Sequence, residues 1–332
     1  IHKQIKFYKG RNKLESKVIQ IDQVGGPENM KYRSVHLPEP GKGQVIVKHE
    51  NIGLNYIDIM QRSGKHPMSF KNFPATLGME GAGTIEVIGE DVEGLNVGDK
   101  VSHCMNIGAY TERMLIDANK LILLDKNTSL EIAAACTLQG LTAQYLLHNS
   151  WKLESGQTVL VHAAAGGVGL ILSQWAKYIG ATVIGTVGTE EKAEYAERNG
   201  CDHTILYSKQ DFSAKVKELT EGQGVNVIYD AIGKDTFNKG LTCLAEKGRI
   251  VCYGFASGPI EPVDISQIRA FSGSIATGAL LTYTKNSLER QKNADQLFNL
   301  INKAVLKINI NQKYSLEDAD LAHKDLAGRK TI

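Results

Sequence analysis

The chain has 332 residues, 42% of them hydrophobic and 22% charged, which suits two folded domains and excludes a disordered or fibrous chain. Its formal net charge is +2, so no strong global field points to nucleic acid or an anionic membrane as a partner. No apolar run reaches the ~20 residues that span a bilayer. The polar, basic opening from Ile1 to Glu15 lacks the apolar core of a signal peptide, and a cytoplasmic protein is expected.

The first part of the chain reads as β-rich. Short alternating runs at Val45–His49, Gly83–Ile88, Lys100–His103 and Tyr110–Ile116 are separated by Gly, Pro and Asp, as in a small antiparallel barrel or sandwich. From Leu130 to Leu147 the spacing is helical and Ala-rich. Strand and helix then alternate at βαβ spacing. Thr158–His162 predicts a strand, Gly167–Ile179 a helix stopped by Gly180, and Val183–Thr186 a strand. Glu190–Asn199 predicts a helix stopped by Gly200, and Thr204–Tyr207, Asn226–Ala231 and Arg249–Tyr253 predict further strands. Two amphipathic helices follow, over Leu288–Leu306 and Leu316–Ala327. The five cysteines are widely spaced with no C-x-x-C, so neither a disulfide framework nor a Cys-rich zinc site is expected.

The segment from His162 to Gly169 lies between a predicted strand and a predicted helix and reads A-x-x-G-x-x-G, with Ala163, Gly166 and Gly169 at the key places. A small first residue permits the tight turn, Gly166 and Gly167 let the backbone approach a pyrophosphate, and Gly169 permits close helix–strand packing. The free N–H groups at the start of the helix then face the phosphates. The second strand ends Thr186-Val187-Gly188-Thr189, without the carboxylate that takes ribose hydroxyls in NAD enzymes. Lys192 stands one turn further on and Tyr207 ends the next strand. Both are placed to reach a 2′-phosphate, which favours NADPH.

These segments together resemble the quinone oxidoreductase (zeta-crystallin-like) family, a zinc-free branch of the medium-chain dehydrogenase/reductase superfamily. The resemblance rests on His162–Gly169, Gln174-Trp175-Ala176-Lys177 and Gly185–Thr189. In the first part it rests on Val24–Glu28, Gly53–Asp58, Arg62-Ser63-Gly64, Gly78–Gly83 and Gln139–Ala143. It implies an α/β fold: a Rossmann doubly wound parallel sheet plus a GroES-like β-rich catalytic domain. The implied division is 1–140 with 276–332 for the catalytic domain and 141–275 for the Rossmann domain, usually in a homodimer. It also implies that Asn55 and Thr142 contact the nicotinamide side of the cofactor, that Gly167 and Val168 are the N–H donors to the phosphates, and that Gly188, Lys192, Tyr207 and Arg329 hold the 2′-phosphate.

Zinc alcohol dehydrogenases of that superfamily carry a Cys where this chain has Asn55 and a His where it has Met79. Both are poor zinc ligands, so no metal is expected. Two positions depart from the resembled family: His66 replaces a common Tyr, and Gly278-Ala279 replaces an Arg-Pro pair. Hydride delivery to a quinone or an enone builds charge on oxygen, and Tyr56 and His66 are the candidate groups to meet it. Quinone reduction with NADPH is the leading reading. An enone or enoyl-thioester reductase, or an NADPH-binding protein with little turnover, stays open.

Overall fold

The computed structural model describes residues 14–66, 69–328 and 330–331. The first strands, β1 (Leu14–Ile21) and β2 (Lys31–Leu37), form an antiparallel pair. After β3 (Gln44–Ile52) the chain turns into a short helix, α1 (Tyr56–Arg62). The two-residue strand β4 (Ala75–Thr76) adds to β1 and completes a three-stranded sheet of order β2-β1-β4. Then come β5 (Glu80–Ile88), β6 (Lys100–Cys104), β7 (Arg113–Asp117) and β8 (Ile122–Leu123). With β3 they make a five-stranded antiparallel sheet of order β7-β3-β5-β6-β8.

A long helix, α2 (Leu130–Tyr145), leads out of this sheet, and Ser129 caps its N-terminus by accepting from the Ile132 N–H. It is apolar on nearly every side because it packs against β5 and β6 on one flank and against the next helix on the other. The core is therefore continuous from Ala82 and Cys104, through Ala133 and Leu141, to Val159 and Leu172.

The second region alternates. It runs β9 (Thr158–His162), α3 (Gly167–Ile179), β10 (Thr182–Val187), α4 (Glu190–Arg198), β11 (His203–Leu206), α5 (Phe212–Leu219), β12 (Val225–Asp230), α6 (Phe237–Leu241), β13 (Leu244–Cys252), α7 (Ser266–Arg269) and β14 (Ser274–Thr277). All six strands pair in parallel, in the order β11-β10-β9-β12-β13-β14. This is the Rossmann order, whose switch point lies between β9 and β12. The central strands β9 and β12 are buried on both faces, which their uninterrupted apolar runs require. Gly180, in the left-handed region at φ +100°, stops α3 as expected.

The chain then returns to the first region through α8 (Leu280–Tyr283), α9 (Ser287–Asn302) and α10 (Ala319–Ala327). Gly140 lets α9 come close, since a Cβ there would overlap the Leu297 side chain. The tail helix α10 docks on α1. The sequence-based boundary at 140/141 falls inside α2, and that at 275/276 inside β14.

Candidate active site

At the end of β9 the chain makes a sharp turn. Ala163 takes a left-handed conformation at φ +55°, which costs an alanine about 1 kcal/mol, and the Ala164 N–H donates to the Thr186 carbonyl at 3.1 Å. Gly166 is extended, no side chain caps α3, and the helix begins at Gly167. A Cβ at Gly169 would overlap the Ala163 carbonyl oxygen and lie 2.8 Å from Ala164 Cα. Only glycine lets the helix start this close to the strand. The result is an uncapped helix N-terminus at the switch point, with Gly167 and Val168 in its first turn, whose N–H groups suit an anion.

The end of β10 lies beside it. Thr189 caps α4 by accepting from the Lys192 N–H at 3.3 Å. Gly188 sits directly beneath the Tyr207 hydroxyl, which a Cβ at Gly188 would meet at 2.7 Å. Tyr207 is half exposed, and Lys192 occupies the first turn of α4. Of the two carboxylates in that turn, Glu190 and Glu191, the first pairs with Lys209 at 2.8 Å. Gly188, Lys192 and Tyr207 are thus brought to one corner. Arg329 lies outside the described residues.

The other wall of the cleft is organised around Asn55, which is buried and caps α1. Its backbone N–H donates to Asp58 Oδ2 at 2.8 Å, and its Nδ2 donates to Glu80 Oε2 at 2.7 Å. The other oxygen of Glu80 accepts from the Leu138 N–H, in the middle of α2, at 2.6 Å. Gly53 is required here, since a Cβ would overlap both Glu80 and the Ala134 carbonyl. Gln139 joins the two walls: its Nε2 is 3.5 Å from Asn55 Oδ1, and its amide lies where a Cβ on Gly167 would point. Thr142, one turn on, donates its hydroxyl to the Leu138 carbonyl at 2.8 Å. Burial pushes the Glu80 carboxyl up to about 8 and that of Asp58 up to about 7. Asp58 also accepts from the Tyr110 hydroxyl at 3.1 Å, and that hydroxyl lies 3.0 Å from His323 Nε2 on α10.

Residues 41–153 match the family model of the alcohol dehydrogenase GroES-like domain, and residues 167–296 match that of zinc-binding dehydrogenases. A quinone oxidoreductase of Pseudomonas aeruginosa is 42% identical over 95% of this chain and 97% of its own length. The chain belongs to the quinone oxidoreductase family of the medium-chain dehydrogenase/reductase superfamily. A 2-haloacrylate reductase of a Burkholderia species is also 42% identical, over 94% of this chain and 96% of its own. The crystal structure of the Escherichia coli quinone oxidoreductase complexed with NADPH superposes with a TM-score of 0.91 at 37% identity, covering 95% of this chain and 97% of that one.

Within this family member the Asn55 and Met79 positions sit differently. Met79 is fully buried in the core, away from solvent. Among the described residues no three His, Cys, Asp or Glu side chains converge to hold a metal ion. Tyr56 opens α1 and is half exposed. His66 lies beyond the opposite end of that seven-residue helix, roughly 10 Å away along the axis, and burial holds its imidazole below the usual range. Gly278 follows β14, and its carbonyl accepts from the Tyr145 hydroxyl at 3.2 Å. Tyr145 stacks on Tyr283 at 4.4 Å, so an aromatic pair stands beside the position where the resembled family carries Arg-Pro. Glu80 and Gln139 are not among the residues singled out from sequence. Both lie inside quoted motifs, yet their partners are distant in the chain.

Proposed function

We propose that this protein reduces quinones with NADPH, without a metal, in the cleft between the uncapped N-terminus of α3 and the Asn55 wall. The observation that carries the reading is the corner of Gly188, Lys192 and Tyr207. It offers a cation and a hydroxyl for a 2′-phosphate, and Glu190 beside it is held by Lys209. Relatives named as quinone oxidoreductases support the acceptor. The residues fit the cofactor: the pyrophosphate takes the N–H groups of Gly167 and Val168, and the ribose on the nicotinamide side takes Asn55 with Thr142 nearby. Once bound, NADPH supplies the hydride. Tyr56, half exposed at the start of α1, is the group proposed to meet the negative charge that develops on the acceptor oxygen, with His66 beyond the other end of that helix as the second candidate. Arg329 is the further 2′-phosphate ligand that the family resemblance implies.

Asn55 and Met79, an amide and a thioether, are weak partners for zinc, which supports chemistry without it. The working units are 1–140 with 276–332 and 141–275, with α2 and β14 shared across the cleft, in a cytoplasmic homodimer. Among the described residues no helix is long and apolar enough to cross a membrane. A second reading, reduction of an α,β-unsaturated acid or carbonyl, is favoured by the 42% identical 2-haloacrylate reductase.

The test is oxidation of NADPH and of NADH by the purified protein, with 1,4-benzoquinone and with 2-chloroacrylate. Quinone-dependent turnover at least tenfold faster with NADPH is expected. Equal rates with both cofactors would overturn the phosphate corner, and turnover with chloroacrylate alone would establish the second reading.

A further inference from the structure

Glu80 makes no contact with solvent, yet it ties three elements together. It stands at the start of β5, takes the N–H of Leu138 on one oxygen and takes Asn55 Nδ2 on the other. Once ionised, above a pH of about 8, the Glu80 carboxylate is an acceptor only. The Leu138 N–H fixes one Glu80 oxygen as an acceptor, and the second then demands a donor from Asn55. The Asn55 amide therefore turns Nδ2 inward and Oδ1 outward, toward Gln139 and the dinucleotide turn.

We infer that Glu80 is a positioning residue that sets the polarity Asn55 shows to the cofactor, so that a ribose hydroxyl meets an acceptor. The inference rests on the reading that Asn55 faces the nicotinamide-side ribose. The family resemblance assigns Asn55 but not the group that orients it. Placing an amide at position 80 reverses the arrangement. The Leu138 N–H still takes the oxygen, the new NH₂ faces Asn55, and Asn55 must turn its oxygen inward and its own NH₂ toward the cleft. Protonated Glu80 does the same, with an O–H in place of the N–H. The titratable groups that face Glu80 are Asp58 from α1, Cys104 from β6, Cys136 from α2 and Tyr110. Burial keeps the two thiols and the phenol neutral, which leaves Asp58 as the neighbouring charge.

The experiment is a cycle of Glu80→Gln, Asn55→Asp and the double variant, reading NADPH affinity by fluorescence at pH 8.5. Each single variant should bind about tenfold more weakly. The double variant should return to within about threefold of wild type. There the new amide at position 80 donates to the new carboxylate at position 55, whose outer oxygen faces the ribose. Glu80 as mere filling predicts no loss in the nearly isosteric Glu80→Gln, or losses that add in the double variant; either result overturns the inference. Wild-type affinity should also rise from pH 7 to pH 9, where the 2′-phosphate is already charged, and Glu80→Gln should flatten that rise. Should Glu80→Gln not fold, Asn55→Asp alone decides. Its two facing carboxyls should bind NADPH better as the pH falls, the reverse of wild type, and an unreversed slope overturns the inference. Asn55→Leu separates the two readings. Unchanged affinity there removes Asn55 from the cofactor site altogether, whereas a loss there with a neutral Glu80→Gln removes only the role of Glu80.

Discussion

In the proposed phosphate corner, the charges at the end of β10 would set cofactor choice one residue at a time. Thr189 fixes where α4 starts, which fixes where Lys192 stands. Lys209 holds Glu190. Reversing the charge at Lys192 puts a carboxylate where a 2′-phosphate must lie. Lys192→Glu should raise KM for NADPH by about 10- to 100-fold, the worth of a charge-assisted hydrogen bond, and leave KM for NADH within a few fold. Initial rates with both cofactors check this, and an equal rise for both would mean that Lys192 acts on the fold rather than on the phosphate. The buried acids give a second prediction at this scale. Glu80 has a folded-state pKa raised to about 8, so its contribution to stability is complete below its unfolded value of about 4.3 and is lost as pH rises through 8. Between pH 6.5 and 8 the unfolded-state imidazoles lose their protons, so His49, His103, His162 and His323, held neutral by burial in the fold, pull stability the other way. The Glu80 contribution alone should fall by up to about 1.4 kcal/mol per pH unit. Urea unfolding of wild type and Glu80→Gln at pH 6.5 and 8 cancels the histidines: the stability of wild type relative to Glu80→Gln should fall between the two pH values, and an unchanged difference would remove the Glu80 contribution.

At the scale of elements, the turn between β9 and α3 is the most constrained join in the molecule. A methyl group on Gly169 meets backbone atoms of Ala163 and Ala164 rather than the end of a flexible side chain. Gly169→Ala must push α3 off the strand, at a cost of about 2 kcal/mol or more, and it displaces the N–H groups of Gly167 and Val168. Thermal melts should show a lower midpoint and no further rise on adding NADPH, whereas wild type should gain about 2.7 kcal/mol at a hundredfold excess over Kd. The same join is the most legible in sequence. Thr158–His162 and Gly167–Ile179 are predicted to the residue, because an apolar run, a glycine turn and a glycine stop leave one solution. By contrast α1 carries no such signal. Its inward side holds Asp58, Gln61 and Arg62, so no apolar stripe marks it. The strands β1 and β2 escape the sequence reading too, since β2 is only partly buried and shows little contrast. The site follows the same division. Local spacing marks Gly166 and Gly167 as turn candidates, and the family resemblance adds Val168 and Asn55. The orienting role of Glu80 depends on Asn55 and Leu138, 25 and 58 positions away, and no local pattern records such a meeting.

At the scale of the whole molecule, the six-stranded sheet ends in an unpaired edge. β14 bonds to β13 on one side, and among the described residues no strand covers the other. An open edge with exposed apolar side chains templates pairing. Ile275 on β14 is 39% exposed, and Ile265, just before α7, is 75% exposed. A second copy laid antiparallel on β14 would extend the sheet and cover both. It would leave the cleft intact, because the turn after β9 and the phosphate corner after β10 lie at strands separated from β14 by β12 and β13. Ile275→Lys puts a charge on that edge, so light scattering after gel filtration should find wild type at twice the chain mass and the variant at the monomer mass. NADPH affinity should stay within about threefold of wild type, since no residue of the proposed phosphate corner or pyrophosphate turn lies on β14. A variant that remains dimeric would place the interface elsewhere. A monomer that also loses NADPH would mean that β14, through Gly278 and the Tyr145–Tyr283 pair behind it, shapes the nicotinamide end of the cleft only when two copies meet.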